Sequence, residues 1–227
     1  MKKMLLLAIM ATTLSGCAAV PSGTKQTAFP AMYTDAKPVS MLIVPAINES
    51  TAANAPDLLN VTVTQPFANN GYYVMPVSII SDIFKREGII EGNQVKGIPT
   101  SVFKTNFGAD SVMFVTITEW DKNYIVIAGN VTVGMEYVLM STTTNEVLWS
   151  YSQKIVVDTS GDSSAGIIGA IISTAVATAA TDYVPVAFKV NETAAGALPL
   201  GKYHPRAGQD GADPVNLEAK ELALSPN

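Results

Sequence analysis

Between Asp110 and Val157 the sequence alternates three times between apolar and polar residues, and that pattern leaves few folds open. "DSVMFVTITEW" (110–120) is rich in β-branched and aromatic residues, the composition of a strand. In "NVTVGMEYVLM" the residues Val131, Val133, Met135, Tyr137 and Leu139 alternate with Asn130, Thr132, Gly134 and Glu136. In "EVLWSYSQKIVV" Val147, Trp149 and Tyr151 alternate with Leu148, Ser150 and Ser152, and "STTTN" between the two runs supplies a turn. Successive strand side chains point to opposite faces, so each run has one dry side and one wet side. The result is an antiparallel meander whose dry side must be covered by something apolar.

The flanking segments offer the cover. "VSMLIVPAIN" (39–48) reads as a buried strand followed by a turn at Pro45. "NAPDLLNVTVTQPFANNGY" reads as a helix capped by Asn54, with Pro56 and Asp57 in its first turn and a break or kink at Pro66. "GYYVMPV" (71–77) is a second short strand. "PVSIISDIFKREGI" then sets Ile79, Ile80, Ile83 and Phe84 on one helical face, with Gly88 as the stop. "PTSVFKTNFGAD" gives a short helix with Val102, Phe103 and Phe107 inward and Gly108 closing it.

A long helix is predicted over "SSAGIIGAIISTAVATAATDYV", capped by Ser163 or Ser164. Its 19 residues from Ser163 to Thr181 carry no charge, which raises the question of a membrane span. Ala, Gly, Ser and Thr dominate it, and Asp162 and Asp182 bracket it, so it reads as a packing helix instead. Gly166, Ala170 and Thr174 recur every four residues and form a small-residue stripe suited to close contact with the sheet or a partner helix. The fold class is therefore α/β (α+β): a single domain with a small mixed sheet and flanking helices. The predicted organisation is a leader over 1–16, a tether over 17–37, a folded domain over 38–190 and an extended, partly disordered tail over 191–227.

The amino terminus gives an address. Lys2 and Lys3 precede an apolar run from Met4 to Met10, and small residues lead to Leu14-Ser15-Gly16-Cys17. A basic start, a short apolar run and small residues before a cut describe a secretory signal peptide. The run falls short of the roughly 20 apolar residues that a span needs. The Leu-Ser-Gly-Cys ending resembles the bacterial lipobox, which implies cleavage between Gly16 and Cys17 and a diacylglycerol thioether with further acylation (palmitate, for example) on Cys17. Two or three acyl chains give stable attachment where one gives only marginal binding. Cys17 is the sole cysteine of the chain, and lipidation removes a thiol that would be a hazard in an oxidising compartment. Ala18 stands where an aspartate would signal inner-membrane retention, so resemblance to the rule for such signals favours the outer membrane. The expected orientation is toward the periplasm, although the residue after the cysteine does not select the leaflet face.

Composition narrows the partners. Removal of residues 1–16 leaves twelve basic residues against nineteen acidic ones, a net charge of −7, which opposes nucleic-acid binding. Catalytic chemistry finds little to work with. The only histidine, His204, sits among Gly and Pro in "LPLGKYHPRAG", a poor setting for a rigid triad, and one histidine with a lipidated cysteine cannot assemble a soft-ligand metal cluster. "EGNQVKG" lacks phosphate-loop spacing. Asp82, Glu87, Glu119 and Asp121 are carboxylates that could pair in space, and nothing in the sequence selects a pair. No cofactor and no metal is predicted.

Six blocks in order, "MLIVPAINES", "VTQPFANNGYYVMPVSIISDIFKREGI", "FGADSVMFVTITEWDKNYIVI", "EVLWSYS", "GIIGAIISTAV" and "LPLGKYHP", resemble a family of proteobacterial lipoproteins with a domain of unknown function, the neisserial GNA-type family. The resemblance covers about residues 30–206. It implies a fold similar to the curli-secretion lipoprotein CsgG and the amino-terminal domain of TolB, and it implies no catalytic residues. The function that follows is a non-enzymatic envelope lipoprotein, an accessory or assembly component that meets the membrane through its lipid and other envelope proteins through its body. The alternative is an oligomeric CsgG-like channel, for which "NYIVIAGNVTV" and "VGMEYVLM" would be the spanning strands.

Overall fold

The computed structural model describes residues 22–34, 37–125, 128–158, 183–216 and 221–224. In chain order it begins with β1 (Ser22–Thr24), α1 (Lys25–Ala28), β2 (Ser40–Ile43), β3 (Ile47–Asn48), α2 (Ala55–Thr62) and α3 (Thr64–Asn69). There follow β4 (Tyr73–Val74), α4 (Val77–Arg86) and α5 (Thr100–Phe107). The meander is β5 (Ser111–Ile125), β6 (Ala128–Ser141) and β7 (Val147–Asp158), and the chain continues through α6 (Val184–Ala197), β8 (Pro214–Asn216) and β9 (Glu221–Leu224).

The main sheet is mixed, with order β4-β2-β5-β6-β7-β9 and β3 beside β5. The predicted antiparallel pairings β5–β6 and β6–β7 are present, while β2, β3 and β4 join in parallel at one side and β9 in parallel at the other. One face carries Met113, Val115, Ile117 and Trp120 of β5, Val133, Met135, Tyr137 and Leu139 of β6, and Trp149 and Ile155 of β7, all buried. Leu59 of α2, Phe67 of α3, and Val186, Ala187, Val190 and Ala194 of α6 share this core. Each such side chain contributes roughly 1.5–3 kcal/mol over exposure, so this face is the main source of stability. The opposite face is covered only in part: Ile80 and Phe84 of α4 and Phe103 of α5 pack with Leu42, Val44 and Val112.

Local departures from the sequence pattern have physical causes. The break before Pro66 falls at Val63, because the proline ring collides with the carbonyl four residues back, that of Thr62, where α2 ends. On α4 the buried residues are Val77, Ile80 and Phe84, while Ile79 and Ile83 are exposed; the apolar stripe is wider than the contact it makes. On α5 Phe103 is buried and Val102 exposed, and Gly108 caps the helix at φ +70. In β7 a register shift opposite Leu139 and Met140 buries Leu148 beside Trp149 and turns Val147 outward. β5 continues to Ile125 past a bulge at Thr118, facing Gly134, where a Cβ would lie 2.7 Å from Thr118 Oγ1.

The predicted boundaries move at both ends. Residues 22–34 of the expected tether are folded, with Phe29 and Met32 in the core. The expected tail begins inside α6: Asn191 is fully buried, its Oδ1 accepting from the Tyr137 hydroxyl at 2.8 Å and its Nδ2 donating to Thr62 Oγ1 at 3.1 Å. A polar residue that looked like a loop signal is thus a satisfied joint between α6, β6 and α2. The two segments considered as spanning strands lie in β5 and β6, and β6 is paired on both sides. The long helix predicted from Ser163, with Gly166, Ala170 and Thr174, lies outside the described residues, as do Gly16 and Cys17. Among the described residues, no helix is long and apolar enough to cross a membrane.

Candidate anchor root

The densest buried polar chemistry lies where the amino-terminal segment enters the fold. After α6 the chain runs extended through Leu198-Pro199-Leu200-Gly201, buried throughout, and an extended segment outside a sheet must find partners for its peptide groups elsewhere. Side chains supply them. Lys25 Nζ donates to Leu198 O at 2.9 Å, and Asn70 Nδ2 donates to the same carbonyl at 3.2 Å. The Tyr72 hydroxyl donates to Pro199 O at 2.7 Å, and Lys37 Nζ donates to Leu200 O. Leu200 N donates to Asp210 Oδ2 at 2.7 Å, and Gly201 N to Asn70 O at 2.8 Å.

Two of the family-like blocks meet here. "NNGYY" and "LPLGKYHP" are brought face to face, and the contact is tight enough to require glycine on both sides. A Cβ on Gly201 would lie 2.3 Å from Gly71 O, and one on Gly71 would lie 2.4 Å from His204 N, with Gly71 at φ +90. His204 serves the turn that follows: its Nδ1 accepts from Arg206 N at 3.1 Å.

Lys25 and Asp210 are both buried, with Nζ and Oδ2 3.6 Å apart. Burial pulls the Lys25 amine below its ordinary value, and Asp210 opposes that pull. Burial followed by the charge of Asp210 pushes the Tyr33 hydroxyl well up. Tyr33 Oη and Asp210 Oδ1 are both buried in this cluster. Around the pair the backbone closes a second tie. β1 pairs antiparallel with β8 from Ser22–Asn216 to Thr24–Pro214, Lys25 N donates to Asp213 O at 3.0 Å, and Gln26 N donates to Gly211 O at 3.1 Å. Arg206 Nη2 donates to both Asp213 oxygens at 3.0 Å, binding the 201–209 turns to the same strand. Phe29 completes the joint, its ring 6.4 Å from Trp149. The arrangement does one mechanical thing: it fastens residues 22–33 to the body.

Sequence reasoning missed Lys25 and Asp210, because a lone lysine and a lone aspartate 185 positions apart in low-complexity surroundings carry no periodic signal. The carboxylates it did note are dispersed: Asp82 and Glu87 are exposed at α4, Glu119 pairs with Lys154 at 3.0 Å, and Asp121 accepts from Thr51. "EGNQVKG" forms a 3₁₀ turn whose Gly92 packs against the backbone at Pro45 and Ile47. Among the described residues no group of three or more His, Cys, Asp or Glu could hold a metal ion.

Comparison with known proteins places this geometry in a family. The chain is 29% identical over 163 residues to the "Putative lipoprotein NMB1124/NMB1162" of Neisseria meningitidis serogroup B, an alignment covering 72% of this chain and 75% of that protein. Its fold matches the crystal structure of lipoprotein GNA1162 from Neisseria meningitidis at TM-score 0.53 and 28% identity, over 64% of this chain and all of that one. A weaker likeness, TM-score 0.35 at 18% identity, is to the LpoB carboxy-terminal domain from Salmonella enterica, over 57% of this chain and 96% of that one. None of these names describes an enzyme. The family model described as putative lipoprotein GNA1162-like matches residues 30–205, which takes in Tyr33, Asn70, Tyr72 and the Leu198–Gly201 segment and leaves Lys25 and Asp210 just outside; the chain belongs to that family of lipoproteins.

Proposed function

We propose that the protein is a non-enzymatic, lipid-anchored docking component of the bacterial envelope. Processing between Gly16 and Cys17 exposes Cys17 for lipidation, and the mature protein resides at the outer membrane facing the periplasm. Its partners are envelope proteins, other lipoproteins among them, and it works as an accessory or assembly part of a larger complex. The observation that carries the reading is the joint itself: the buried Lys25–Asp210 pair and the β1–β8 ladder attach the body to the segment that leads to the lipid. Load applied through the anchor is thereby borne by the core. Family membership supports the lipoprotein part of the reading. Gly166, Ala170 and Thr174 are the positions proposed for close contact with a partner helix. The CsgG-like channel would need segments of β5 and β6 to leave the sheet that pairs them.

The test is crosslinking in intact envelopes followed by identification of the captured proteins. A defined partner set, depleted in the Cys17→Ser protein, is expected. A protein that crosslinks to nothing while fully lipidated contradicts the docking role.

A further inference from the structure

The anchor root sets how far the body can stand from the lipid. If residues 17–37 formed a free tether, its twenty steps would reach about 70 Å at full extension. In the structure the chain is already paired at Ser22, the first residue of β1. Five steps separate Cys17 from Ser22, and they span at most about 18 Å, with a relaxed length of about 12 Å for a flexible chain. A folded body of this size is about 40 Å across, from a radius of gyration near 16 Å. The leash is therefore much shorter than the body it holds.

We propose that the end of the molecule built from β1, β8 and the 201–213 turns lies directly against the phospholipid surface, with the far end of the β5–β6 hairpin held away from it. The inference rests on lipidation of Cys17. The charge of this end fits the assignment. Lys25, Lys202, Arg206, Asp210 and Asp213 are the charged residues of the 22–33 and 198–216 segments, so these two segments together carry one net positive charge on a mature chain of net charge −7. Asp210 faces Lys25 and Asp213 is held by Arg206, which leaves the exposed Lys202 as the surplus cation beside an anionic headgroup layer. Next to it Tyr203 is 65% exposed, an aromatic side chain with a polar tip of the kind that suits the headgroup region.

The opposite end is fixed by strand register. Trp149, in contact with Phe29 of the root, and Val156, in line with Thr132 and Asp121 near the hairpin end, are seven residues apart on β7, about 23 Å. Thr51 is exposed and reaches Asp121 at 3.4 Å, so it marks that distant end.

The experiment exploits the single native cysteine. The purified lipoprotein, its Cys17 blocked by lipid, receives one new thiol by Ala212→Cys or Thr51→Cys, both exposed positions, and is labelled with a fluorophore. Each is reconstituted into phosphatidylethanolamine–phosphatidylglycerol vesicles carrying a headgroup acceptor dye. Stronger energy transfer from position 212 than from 51 is expected. A 20-residue Gly/Ser insert between 21 and 22 lengthens the relaxed leash to about 28 Å and should abolish the difference. A second pair, Gln209→Cys and Ala53→Cys, guards against one variant that fails to fold, with tryptophan fluorescence as the check. Equal transfer from both positions in a protein that incorporates palmitate overturns the orientation and leaves the anchor standing. A protein that incorporates no palmitate and does not bind vesicles overturns the anchor, and the orientation falls with it.

Discussion

Replacing Lys25 by methionine keeps most of the side-chain volume and removes only the ammonium group. Leu198 O still accepts from Asn70, so no carbonyl is orphaned. Asp210 is the group left in difficulty: its carboxylate is fully buried and loses the ammonium 3.6 Å away, while Oδ2 keeps the Leu200 amide and the Tyr33 hydroxyl and the Lys37 charge remain near it. Removing one member of a buried ion pair costs about 3–5 kcal/mol, and the surviving amide bond places this case near the lower end. A loss of about 3 kcal/mol in a domain of this size lowers Tm by about 6–12 °C. Asp210→Asn alone strands the ammonium instead, while keeping an acceptor for Leu200 N. In the double variant neither charge remains, so the effects should fall short of their sum by about 1–3 kcal/mol. Urea unfolding followed by tryptophan fluorescence reads this directly, because Trp149 lies beside Phe29 in the root and both Trp120 and Trp149 are buried. Single-variant losses that add to within about 0.5 kcal/mol would show that the two charges do not interact and would refute the joint.

Gly201→Ala should cost at least about 2 kcal/mol, since its new methyl meets the Gly71 carbonyl at 2.3 Å and the backbone must separate; thermal unfolding measures it. Asp110 is raised by burial but lowered more by hydrogen bonds from Ser40 N, Ser40 Oγ and Val39 N, so its folded pKa lies below the unfolded 3.8. The stability it contributes is present above that value and lost as pH falls through the lowered one. Asp110→Asn should cost about 1.5–3 kcal/mol at neutral pH and flatten the acid limb of a stability–pH curve. Burial raises Tyr33, Tyr72, Tyr137 and Tyr151, so stability held below the unfolded value of 10.0 is lost as pH climbs above it. The lowered Lys25 and Lys37 work in the other direction, and alkaline unfolding that is delayed in Tyr137→Phe checks that the tyrosines prevail.

The meander was legible because each of its runs obeys a two-residue period, and the helices on its dry face because Leu59 and Phe67 are large enough to demand burial, as Phe103 does on the opposite face. Parity in β7 was not legible beyond Trp149: the shift opposite Leu139 is set by how the 141–146 turn closes, with Asn145 at φ +62, and not by the hydrophobicity of Val147 or Leu148. The ends were misjudged for a common reason. Residues 22–34 and 198–216 are poor in periodic apolar residues, and they order through long-range polar contacts such as Lys25 to Leu198 O and Leu200 N to Asp210. Composition reports how much apolar surface a segment can bury; it says nothing about a carbonyl that finds its donor 173 residues away. The glycines of "NNGYY" and "LPLGKYHP" were visible as parts of family-like blocks, and only their mutual approach explains why both must lack a side chain.

The central claim is that Cys17 carries the lipid to which this root is fastened. Cells expressing the wild-type chain or Cys17→Ser are grown with radioactive palmitate, and the protein is recovered from whole cells and from separated membrane fractions. Both proteins should fold alike, as judged by tryptophan fluorescence. Label in the wild type alone, with loss of the processed outer-membrane form in Cys17→Ser, is the predicted result. An unlabelled wild type, or an outer-membrane fraction that the substitution leaves unchanged, would contradict the anchor and the localisation built on it.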